Sequence, residues 1–100
     1  MACTVRVVPS FRHLATSAAH VTLEDAAALL MLEQGDELLG AIDPYGDSAF
    51  NEHQVDRLLE RMEHLAEQAS DAVVQANIRQ VVDFIRANMR PGLCVVLEGD

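Results

Sequence analysis

The sequence predicts an α+β domain in which helices pack on a small sheet built from the two ends of the chain. Three observations predict it. β-Branched runs stand near both termini, CTVRVV at 3–8 and LCVVL at 93–97. Between residues 52 and 89 apolar side chains return at three- and four-residue steps, the period of a helix. One hundred residues, half of them hydrophobic, suffice for one core and not for two, so 1–100 is a single globular domain.

Each element has its own justification. Residues 3–8 alternate as a strand should, and Pro9 ends them. SFRHLATSAAH (10–20) reads either as a loop or as a short helix capped by Ser10. Thr22, with Asp25 three residues on, reads as the cap of a first helix over roughly 22–39, rich in alanine and leucine. Gly35 and Gly40 mark where that helix bends or stops, and Leu38, Leu39 and Ile42 follow as apolar anchors.

A second helix covers 52–69, with Val55, Leu58, Leu59, Met62, Leu65, Ala66 and Ala69 as its buried stripe. A third covers 71–89, with Val74, Ile78, Val81, Val82, Ile85 and Met89. At about 100° per residue the two stripes point about 145° apart, so one straight rod cannot bury both. A break at 69–71, with Ser70 as cap, turns them into an antiparallel hairpin.

Arg90-Pro91-Gly92 stops the third helix before the closing strand. Leu93, Val95 and Leu97 share one face of that strand, and Cys94 and Val96 take the other. Cys3 travels with Val5 and Val7. If those are the core faces, Cys3 and Cys94 point to opposite sides and stay free thiols. Two strands alone are marginal in water, so helices must cover them, and an exposed edge offers a place for a second chain.

The stretch IDPYGDSAFNEHQ (42–54) concentrates the polar signals. Asn51 and Gln54 have the spacing of a capping box, and Phe50 and Val55 that of a hydrophobic staple. Asp43-Pro44-Tyr45-Gly46 is turn material, and Asp47 has the chemistry of a cap. An EF-hand counted from Asp43 needs glycine sixth and glutamate twelfth, where this chain has Ser48 and Gln54. The stretch resembles the I-D-P-Y-G-D-x-x-F-N-x-x-Q signature of a family of small, mostly uncharacterised bacterial proteins, many from GC-rich genomes. That family also tends to finish on a short apolar strand followed by Gly-Asp, as VVLEGD does here. The resemblance implies a compact bacterial cytosolic domain and brings no activity with it.

Composition excludes several functions. The formal net charge is −9, and all seven basic residues are arginine. Such a chain opposes a nucleic-acid backbone, and four aromatic residues are too few for a base-stacking platform. Without lysine there is no Schiff base and no P-loop lysine. No apolar run approaches the length of a membrane span, and no secretory leader is evident, which points to the cytoplasm. Neither cysteine nor any serine lies in a local nucleophile motif, so an enzyme is not expected. His53, Glu60 and His64 align along the second helix, yet the two imidazoles are about 16 Å apart along its axis and cannot share a metal ion. No cofactor is expected.

What remains is a row of carboxylates. Asp56, Glu60, Glu63 and Glu67 line the outward face of the second helix, with Glu52 at the margin and Arg57 and Arg61 placed for local ion pairs. Extended by Asp43, Tyr45 and Asp47, the row suits docking of a basic protein, a nuclease toxin for example, by an immunity- or antitoxin-like module. The alternatives are a small-ligand sensor or minor enzyme with a site near Asp43–Asp47, and a structural homodimer.

Overall fold

The computed structural model describes residues 3–9, 19–33 and 47–99. Along the chain these form β1 (Cys3–Val8), β2 (His20–Leu23), α1 (Asp25–Glu33), β3 (Asp47–Phe50), α2 (Glu52–Gln68), α3 (Ala72–Asn88) and β4 (Cys94–Gly99). The predicted α+β class holds, with three helices on one antiparallel sheet. The strands predicted at the two ends lie side by side, with Cys3 opposite Gly99 and Val8 opposite Cys94.

The sheet has four strands in the order β2-β1-β4-β3, so the two-stranded expectation was too small. β2 corrects the start of the first helix. Thr22 is not a helix cap but sits in a strand, paired with Thr4 of β1. The His-Val-Thr-Leu run carries two adjacent β-branched residues, and a partner strand is available, so extension wins over capping there. The helix begins at Asp25 instead, and the Glu24 carbonyl accepts its first backbone bond from Ala28 at 2.9 Å. The predicted continuation to 39, the glycine boundaries and the Asp43–Gly46 turn lie outside the described residues, as do residues 10–18.

β3 is the second addition. Ser48 and Phe50 alternate inward against Leu97 and Val95, and both are buried, whereas Ala49 is exposed. One core joins sheet and helices, drawing on Val5, Leu23, Met31, Phe50, Leu58, Ile78, Ile85 and Leu97. Val8 and Val96, at alternate positions on the central strands, are fully buried as well.

The polar residues after Phe50 shape the backbone as their spacing predicts. The Asn51 carboxamide oxygen accepts from the amides of His53 (2.9 Å) and Gln54 (3.1 Å), and the Gln54 side chain accepts from the Asn51 amide (3.0 Å). Phe50 and Val55 on either side are both buried. Asn51→Ala should cost about 1 kcal/mol in urea unfolding. Adding Gln54→Ala should cost less than its own separate loss, because the two groups complete one reciprocal unit.

α2 and α3 break where the stripes require it. The chain is extended at Ala69 and Asp71, and the cap of α3 is Asp71 rather than the expected Ser70. Asp71 accepts from the amides of Val73 (2.8 Å) and Val74 (3.4 Å), a reach that Ser70, one residue further out, does not have. Gln75 of α3 donates to the Ala66 carbonyl at 2.7 Å, adding to the bond that carbonyl takes from the Ala69 amide and linking the two helices of the antiparallel hairpin. At the far end of α3, Arg90 donates to the Ala87 and Met89 carbonyls. The Leu93 amide then closes a turn onto the Arg90 carbonyl, with Gly92 at φ 87°. A type II turn needs a positive φ at its third residue, which is why proline and then glycine stand there.

Candidate functional site

The carboxylate row is built by the period of α2. Asp56, Glu60, Glu63 and Glu67 are separated by steps of four, three and four, which return to nearly one angle on the helix. Burial of Val55, Leu58, Leu59, Met62, Leu65 and Ala66 against the core fixes how the helix is rotated. Asp56, Glu60 and Glu67 are exposed as predicted, while Glu63 is half-buried.

Glu63 differs because it looks across the seam to α3. Arg86 donates to its carboxylate, so this pair ties the two helices together. α3 thus contributes arginines to the margin of the row, a neighbourhood that the sequence of α2 alone cannot show. The hydrogen bond from Arg86 holds the Glu63 carboxyl below its ordinary range. A smaller desolvation opposes this, and the charges of Arg86 and Arg79 add to it. The Arg86 pKa is raised, chiefly by the same hydrogen bond.

A depressed carboxylate stabilises the fold above its unfolded pKa, and that contribution disappears as pH falls through the folded value. Both side chains are about half open to solvent, so the effect on stability is small and sensitive to salt. In an NMR titration Glu63 should therefore protonate below an ordinary glutamate. Arg86→Met should move its midpoint back up.

The other predicted partner residues do not all join the row. Asp47 opens β3, opposite Glu98 in the ladder, about 13 Å of extended chain before Asn51. Its backbone belongs to the sheet. Asp43 and Tyr45 lie outside the described residues. A second ion pair, Arg6 with Glu98, bridges β1 and β4.

Among the described residues no group of three His, Cys, Asp or Glu side chains is placed to hold a metal ion. Cys3 and Cys94 are not joined in a disulfide: they stand at opposite ends of the β1–β4 ladder, about 17 Å apart along the strands and far beyond bridging reach. Burial pushes the Cys94 thiol up. No described helix is long and apolar enough to cross a membrane.

Sequence reasoning missed Asn77. It lies within the apolar stripe of α3, and its side chain is only 9% exposed. Its oxygen accepts from the Glu24 amide at 2.8 Å, and its nitrogen donates to the Thr22 carbonyl at 2.9 Å. One carboxamide thereby imitates a strand partner and pins the corner where β2 becomes α1. The available signal was an asparagine in phase with Val74, Ile78 and Val81, a buried polar group that requires an explanation. Comparison with protein-family models, curated proteins and solved structures returns no match to this chain.

Proposed function

We propose that this protein is a non-enzymatic binding module of the immunity or antitoxin kind, acting in the cytoplasm of a bacterium, whose acidic surface occludes a basic toxin. The observation that carries this reading is the exposed row Asp56, Glu60 and Glu67 on a helix whose rotation is fixed by the core. It stands on a chain of net charge −9 that has no lysine. Long-range attraction from such a surface speeds encounter with a cationic partner and rejects acidic ones. Glu63, already engaged by Arg86, holds the seam and leaves recognition to the other three.

The test is affinity capture from the native host followed by mass spectrometry, then binding kinetics with Asp56, Glu60 and Glu67 each reversed to arginine. The triple variant should bind the captured partner with a slower association rate and a flatter dependence on salt. Capture of no protein, or of one whose binding is indifferent to all three reversals, would refute the proposal.

A further inference from the structure

The end of the molecule where α1 meets the α2–α3 turn is open and apolar. Leu30 of α1, Leu65 of α2 and Val74 of α3 line a cleft of about 450 Å³, within the range of about 300–1,000 Å³ typical of ligand clefts. Leu29, also in the lining, is 48% exposed, one of the large hydrophobic side chains most open to solvent among the described residues. α1 is apolar nearly all round its circumference, the composition of a helix with a covered surface on every side. Yet here one side faces water. The polar rim is acidic: Glu33 and Asp71 line the cleft, and no arginine or histidine does among the described residues. Asp71 also caps α3.

Charge selects the occupant. A second copy would set one acidic rim against another on chains that each carry −9. An anionic lipid surface would be repelled for the same reason. A basic amphipathic segment suits both features, since its apolar side chains enter the cleft while flanking lysine or arginine heads reach the carboxylates, their aliphatic stems covering the apolar edge.

We propose that this cleft seats the apolar side chains of a basic amphipathic helix from a protein partner. The inference rests on the reading of the chain as a module for basic proteins, and adds an anchor site distinct from the carboxylate row on α2. Seating of this kind supplies slow dissociation, whereas exposed charges chiefly set the rate of encounter.

The probe is a synthetic leucine–lysine helix of about four turns with its leucines on one stripe. A peptide of the same composition with the leucines scattered round the helix serves as control. Methyl NMR of the full chain should show shifts at Leu29, Leu30, Leu65 and Val74 with the striped peptide, and binding at least tenfold tighter than for the control. Leu29→Gln should remove at least tenfold of that affinity while circular dichroism shows an unchanged fold, since Leu29 is half-exposed already. Equal binding of the two peptides, or no binding, would overturn the anchor site. Binding that resists Leu29→Gln but falls on reversal of Asp56, Glu60 and Glu67 would overturn it too, while leaving the acidic-surface reading intact. A dimer in light scattering that Leu29→Gln dissociates would assign the cleft to a second copy instead.

Discussion

Leu58→Ala should destabilise the protein by about 2–5 kcal/mol, the largest effect expected of any single substitution considered for this chain. Leu58 is fully buried at the middle of the α2 stripe, in the cluster that joins the helical layer to the sheet. Truncation removes its transfer free energy and leaves a cavity that packed neighbours refill only in part. A domain of this size has only about 5–15 kcal/mol of net stability, so the loss is a large fraction of the whole. The urea midpoint should fall with little change in slope, and the melting temperature should drop by on the order of 10 °C or more. Two controls separate cavity formation from a general intolerance of substitution. Met62→Leu, nearly equal in volume at another fully buried position, should cost less than about 1.5 kcal/mol. Leu29→Ala, at a half-exposed position, should stay within about 1 kcal/mol.

Asn77→Leu should cost about 2 kcal/mol although it adds an apolar side chain to an apolar stripe. The replacement matches the pattern of α3 and would look favourable by periodicity alone. It removes the acceptor for the Glu24 amide and the donor for the Thr22 carbonyl together. Each backbone group that loses its partner in a partly buried place costs about 1–3 kcal/mol, tempered here by residual access of water to Glu24. Hydrogen exchange distinguishes this cause from simple overpacking. The Glu24 amide should lose protection well before the amides in the middle of α2. Equal loss at both places would mean that the substitution acts by disturbing the core instead.

The parts of the fold legible in the sequence are those specified by local chemistry or by a long repeat. α2 and α3 span seventeen residues each, enough for the apolar period to fix their faces. Asn51 and Gln54 announce the start of α2 because a capping box is complete within four residues. β2 and β3, at four residues each, are too short for alternation to show. Asp-Ser-Ala-Phe has little intrinsic strand preference and is extended because β4 lies beside it. Thr22 misleads because Thr-x-x-Asp is compatible with a cap until a partner strand competes for the backbone. The carboxylate row was legible as a helix face, since its spacing is local. The engagement of Glu63 by Arg86 was not, because those residues are 23 positions apart and meet only through the hairpin.

The pairing of β1 with β4 sets a condition on biosynthesis. Residues 3 and 99 face each other at the middle of the sheet, so its central ladder closes the longest loop the described chain contains. A nascent polypeptide leaving the ribosome can wind α2 and α3 early, but β1 must wait for nearly a hundred residues of translation before its main partner arrives. Until then Val5 and Val8 have no such neighbour, and that exposure is the interval in which a chaperone has most to do.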